Sequence, residues 1–557
     1  MAAAGTLAAG TGVLTAALLM PTAASASSNQ TWTAGGDGSS WSDAMNWASH
    51  SVPQNGDSVT IPAVRFPART VVNGVPAGTQ LQDLTMTDAS LSGGDVMVAG
   101  NFSWSVSQGF EVLDSPVTVE GDASIGGAGE ADVQTPMTFD GTAEINGPGL
   151  LSIQDAGPAI TNNGTLTVAP GAAVKGSVCC VNPDVFLNTG TVTMSAAGTA
   201  TLGFMSFNDQ GSVSVAVGSL LDVIGGPGAF GAGSHLSGGG TLQFDQGASM
   251  TLATGVSISA GSTMTLTGNA QFFGPGTFVG GGKFSWTGGT IQGSLTVGQT
   301  IHTTISGTTK KQLMSGSTRT ALTLRGVTNL AGSGELELFG TTTLSNLGAM
   351  TMNTGTTVGA SVCCVAPDTF SNGGTLIVAA GTGTATTTNM QFSNSGTVKV
   401  NGGTLAINTL GYKQTAGSTQ LAGGSITAAK QMNIAVGTLS GFGTITGSVL
   451  NGGTVAPSTT GGVLKITGAY NEKSTGTLSS VITGTTPGTK FGQLSVGGKA
   501  TLAGTLKVNT GNGFVPSHGE AFSVLLYHTR GGTFSTLTGT PAYSVSYIAT
   551  AAKVVYP

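Results

Sequence analysis

Four cysteines stand in two adjacent pairs, Cys179-Cys180 and Cys363-Cys364, and they offer the most specific covalent chemistry in the 557-residue chain. Adjacent cysteines lack the two-residue gap of a zinc or dithiol redox site, and no histidine accompanies either pair. Each pair reads as a vicinal disulfide stapling a tight loop, or as two free thiols facing opposite sides of a strand. The turn residues Pro183-Asp184 and Pro367-Asp368 follow the two pairs in the same way, so Asp184 and Asp368 join the cysteines as candidates for a pair of binding loops.

Paired carboxylates are the second candidate chemistry. Glu335 and Glu337 flank Leu336 and would leave one side of a strand about 7 Å apart, a separation compatible with inverting glycoside hydrolysis. Glu120 and Asp122 form a similar pair. The competing reading is that outward carboxylates keep a long β protein soluble. The run Arg65-Phe66-Pro67-Ala68-Arg69 has the wrong spacing for the Arg-x-Pro-x-x-Arg word of pectate lyases. The five histidines, His50, His235, His302, His518 and His528, show no ligand spacing, so neither a metal site nor a cofactor is expected.

The elements that would carry these groups are strands. Gly supplies 92 of 557 residues and charged residues only 8%, while hydrophobic residues reach 39%. So much glycine opposes helix, and so little charge opposes ordinary disorder. A short word recurs: Asn or Ser, one residue, Gly, Thr or Ser, apolar, any, apolar. Examples begin at Gly164, Gly190, Gly374 and Gly403. Its period of two predicts short strands with one face inward, each opened by a Gly or Asn free to take a positive φ.

A longer unit is duplicated. Ser177 to Val192 matches Ser361 to Leu376 at an offset of 184 residues, within units spanning 162–213 and 346–398. These repeats predict an all-β, right-handed parallel β-helix (solenoid) with a small C-terminal β region. Its parts would be a cap and first coils at 27–100, the main helix at 101–440, and C-terminal coils with a β capping region at 441–557. Coils of some 22 residues would separate the cysteine pairs by about eight turns, or roughly 40 Å, too far for a disulfide between them. Outward Thr-x-Thr words, such as Thr165 and Thr167 or Thr191 and Thr193, would suit an ice-binding surface only in strict register, and the uneven word spacing argues against that.

Residues 1–26 have an apolar stretch from Leu7 to Met20 and end in Ala24-Ser25-Ala26, as a cleaved export signal does. A secreted location, extracellular or loosely attached to a cell surface, is expected. That address also makes oxidised cysteines plausible.

The stretch from Thr31 to Pro62, with Trp32, Trp41, Trp47 and the strand GDSVTI, resembles the opening module of large secreted bacterial β-solenoid proteins, including autotransporter passenger regions. The segment from GFGTITGSVLNGGTVAP to Phe534 is similar to their end region. The resemblance implies an exported, adhesin-like β-solenoid and carries no activity with it. Gly492 stands where relatives tend to carry an acidic residue.

Charge is segregated along the chain. Residues 27–245 hold 19 acidic and 3 basic residues, net −16, and residues 246–557 hold 5 acidic and 15 basic, net +10. On a rod this gives an electric polarity along the axis. Dispersed basic residues make nucleic acid a poor partner, and no later segment is long and apolar enough to predict membrane insertion. The leading expectation is a non-catalytic, adhesin-like or structural solenoid that presents a face to extracellular polysaccharide or cell-wall polymer. The alternative is a secreted polysaccharide lyase or glycoside hydrolase.

Overall fold

The computed structural model describes residues 27–64, 69–154, 159–176, 183–316, 319–361 and 367–557. Residues 1–26, where an export signal is expected, and all four cysteines lie outside the described residues. The chain forms a parallel β-solenoid of about 18 turns, with 58% of residues in strands and 1% in helix. No helix among the described residues is long and apolar enough to cross a membrane.

Each turn contributes three short strands, and each strand pairs in parallel with its counterpart one turn away, so three sheets run along the rod. The first contains Thr165–Val168, the second Ala173–Gly176 and the third Ala159–Asn162. Alternation drives the winding. Leu166, Val168, Val192 and Leu376 are fully buried, while Thr165 is exposed and Thr167 half-buried. The lumen fills with aliphatic rungs and a run of rings in contact, Phe186, Phe207, Phe230, Phe244 and Phe272, with centroids 5.2 to 6.0 Å apart. Edge-to-face contacts of this kind add to the area the rings bury.

The glycine of the recurring word has a different purpose from the expected one. Gly164, Gly190 and Gly374 do not take positive φ. Instead, Thr191 N donates to Gly164 O at 2.8 Å, and Thr375 N donates to Gly348 O at 2.8 Å. These bonds bring the carbonyl of one turn against the glycine of the next. A Cβ on Gly190 would lie 2.0 Å from Gly164 O, and one on Gly374 would lie 2.1 Å from Gly348 O. Glycine is required at these corners because its neighbour's backbone occupies the place of a side chain.

The asparagine of the word points inward. Asn162 donates its side-chain amide to Asn188 Oδ1 at 2.7 Å and to Thr191 O at 3.0 Å, and Asn188 donates to Asp209 Oδ1 at 2.6 Å. A second run passes from Asn346 to Asn372 to Asn394, each step 2.7 Å. All of these side chains are fully buried. Each amide ties a corner to the turn that follows, and burial makes such bonds costly to lose.

The two copies of the duplicated unit occupy different sheets. From Asn162 the third sheet continues through Val185–Asn188, Ser206–Asp209 and Lys311–Met314 to Thr357–Ala360. Thr343–Asn346 instead belongs to the first sheet, reached from Thr165–Val168 in eight steps. The offset of 184 residues is therefore eight turns and one strand. The cysteine-bearing connections leave the second sheet in one copy and the third sheet in the other.

Sheet register holds although the loops differ in length. Thr165 pairs with Thr191 and Thr191 with Ser212, while Thr167 pairs with Thr193 and Thr193 with Ser214. The outward hydroxyl rows are thus in register, contrary to the expectation from word spacing, because corners absorb the length differences.

Both ends are closed. At the N-terminal end Trp47 packs edge-on against Trp32 and Trp41, with centroids 5.0 and 4.9 Å away, and donates Nε1 to Trp41 O at 2.8 Å. A single 3-10 turn, Ala44–Asn46, is capped by Asp43. At the C-terminal end Ala521–Gly532 pairs antiparallel with Ala551–Val555, which pairs antiparallel with Ser544–Ile548.

Candidate functional site

The carboxylate pair Glu335 and Glu337 projects from the third sheet, where Gln312 pairs with Glu337. Lys310 Nζ lies 2.9 Å from Glu337 Oε1 and 4.0 Å from Glu335 Oε2, and Gln312 donates to Glu337 Oε2 at 2.8 Å. Partial burial pushes the Glu337 pKa up, but Lys310 and Gln312 more than offset it and hold the carboxyl below its ordinary value. The bond to Glu337 in turn raises the Lys310 pKa. A general acid needs the opposite shift. The geometry is that of a salt-bridged surface cluster, in which Glu337 is held ionised.

Glu120 and Asp122 flank Gly121 at the corner leading into the first sheet, and both are exposed. The equivalent corner one turn on carries Asp140, which accepts a bond from Asn163 at 2.7 Å, and Glu144 follows on the paired strand. Asp184 and Asp368 behave otherwise. Both are buried, at 1% and 3% exposure. Asp368 Oδ1 accepts from Thr342 N at 2.6 Å and from Thr342 Oγ1 at 3.0 Å, which fastens the turn that precedes it. Asp368 thus serves a corner, and neither side chain faces solvent. The cysteines proposed with them lie outside the described residues.

A site that sequence reasoning did not assemble lies on the outer face of the second sheet near the N-terminal end. Arg69, Asn73, Ser92, Asp114 and Gln134 line a surface groove of about 190 Å³, floored by Val71, Leu91 and Val112. Pairing places Val71 beside Ser90 and Ser92 beside Asp114, so the lining comes from successive turns. The guanidinium of Arg69 sits 3.7 Å from the centroid of Phe110, whose ring is half exposed. Arg69 Nε also lies 3.4 Å from Glu111 Oε1, and Ser90 donates to Glu111 Oε2 at 2.6 Å. Glu111 is buried, so the arginine is held in place by a carboxylate behind it.

Nothing in the sequence marks Phe110 as outward, because Glu111 beside it takes the inward place. Arg69 entered the reading only within a pectate-lyase-like word of wrong spacing. Among the described residues no group of three or more His, Cys, Asp or Glu side chains is arranged to hold a metal ion. No protein-family model matches the chain, and a search of curated proteins finds no match either.

Proposed function

We propose that the protein is a secreted, non-catalytic solenoid that displays a carbohydrate-binding face, with the groove from Arg69 to Gln134 as its principal contact. The observation that carries this reading is the combination of an exposed ring, Phe110, with a fixed cation and neutral or anionic hydrogen-bonding side chains on rigid strands. Sugars present apolar C–H faces and equatorial hydroxyls, and a shallow groove of this make-up offers partners for both. The resemblance of both ends to secreted bacterial solenoids and autotransporter passengers supports an extracellular setting. The catalytic alternative draws no support from Glu335 and Glu337, because Lys310 and Gln312 hold Glu337 in its charged form.

The test is co-sedimentation of the purified chain with a panel of insoluble neutral and anionic polysaccharides, with reducing ends and unsaturated products measured alongside. Binding without cleavage is expected, weakened by Phe110→Ala and Gln134→Ala and unchanged by Glu335→Gln with Glu337→Gln. Released reducing ends or unsaturated sugars would replace this reading with the enzymatic one. Unaltered binding by both groove variants would remove the groove.

A further inference from the structure

The chain carries forty-two charged side chains, most of the acidic ones in its first half and most of the basic ones in its second. Among the described residues, ion pairs join Arg69 to Glu111 and Lys310 to Glu335 and Glu337. The segregation of charge along the sequence means that acidic and basic residues seldom share a turn.

The first sheet concentrates this separation on one face. Toward the N-terminal end, Glu120, Asp122, Asp140 and Glu144 occupy two consecutive turns and all are exposed. Toward the C-terminal end the same sheet carries exposed Lys413 and Lys499, with exposed Lys430 at the corner that leads into it. Thirteen strand steps at about 4.8 Å put roughly 60 Å between Asp122 and Lys413. The rows between them are mostly Ser and Thr, among them Thr167, Thr193, Ser214, Thr323 and Ser371, interrupted by His235, Val279 and Gln391, which leaves a largely flat face open to a second one.

We propose that two copies of this chain associate side by side and antiparallel through their first sheets, the acidic end of each facing the basic end of the other. Complementary charge selects the occupant, since each copy carries both halves of the match and a two-fold axis satisfies both at once. A contact about 60 Å long and about 10 Å wide would bury about 1,200 Å² in total, the lower limit of specific interfaces. Its strength must therefore depend on the charged ends and fall with salt.

Sedimentation velocity of the full chain at about 0.02 M and about 1 M salt tests this. A dimer at low salt that dissociates at high salt is expected. Two charge-reversed variants, E120K/D122K/D140K/E144K and K413E/K430E/K499E, should each be monomeric at low salt with unchanged far-ultraviolet circular dichroism. Mixing them should restore a dimer with one copy of each. A wild-type chain that is monomeric at every salt concentration overturns the proposal. So does undiminished association of either variant, or a mixture that stays monomeric. Retention of a monomeric chain on dextran sulfate at low salt would assign the basic end to an anionic polymer instead.

Discussion

Asn346 donates its side-chain amide to Asn372 Oδ1 at 2.7 Å, and both side chains are fully buried one turn apart. Asn372 repeats the gesture toward Asn394 and also donates to Thr397 O at 3.0 Å. An interior amide in such a run satisfies three partners, so its loss leaves buried groups with nothing to bond.

Asn372→Ala should therefore cost about 2–4 kcal/mol in the local turns. Hydrogen exchange of strands Thr343–Asn346 and Gln391–Asn394 reads this, with faster exchange there and little change near Trp47. Exchange unchanged beside the substitution would show that the amide run adds nothing to stability.

Gly374→Ala places a methyl carbon 2.1 Å from Gly348 O, and backbone must move to admit it. The expected loss is about 1–3 kcal/mol, measured by chemical denaturation. Gly411→Ala is the control, because its Cβ would meet nothing closer than Gln391 Oε1 at 3.7 Å and its φ is not positive. Equal losses at the two positions would refute close approach as the reason for glycine in the word.

Glu472 pairs with Asn451 and is 5% exposed, with Tyr470 donating to its Oε1 at 3.3 Å. Burial raises its pKa from 4.5 to about 8. Between those values the folded chain keeps a proton that the unfolded chain has lost, so stability of the C-terminal turns falls as pH rises from about 4.5 to about 8 and then levels. Glu472→Gln should remove this slope and raise stability at pH 9 relative to the parent. Melting curves across pH that show the same slope in both proteins would contradict the assignment.

Leu166→Asp puts a carboxylate in the lumen and should cost about 4 kcal/mol or more, enough to unravel its turn. Thr167→Asp, one residue on and outward, should change the melting temperature little. Limited proteolysis separates the two, since a nick near residue 166 is expected only in the first.

The parallel winding was legible because period-two alternation and glycine punctuation are local signals, and Leu166, Val192 and Leu376 lie inside as that pattern requires. What each word residue does was less legible. Nothing in one copy of Asn-x-Gly-Thr distinguishes a left-handed opener from an inward amide, since the difference depends on contacts about 21 to 29 residues away. The register of Thr165 with Thr191 was hidden for a related reason, as chain length between words counts corner residues that sheets ignore. The groove was hardest to see. Arg69 reaches Phe110, and lines the groove with Gln134, only because turns stack, and single residues on three turns leave no mark on any one stretch of sequence.

The displacement of Asn346 by one strand relative to Asn162 bears on how such a chain grows. An offset between copies that is not a whole number of turns sets them at different bearings around the circumference, so further copies at the same offset would return to the starting bearing only at the fourth. Repetition at that spacing therefore turns equivalent corners around the rod like the bristles of a bottlebrush and never like the teeth of a comb, so a neighbour would meet the same corner from three directions.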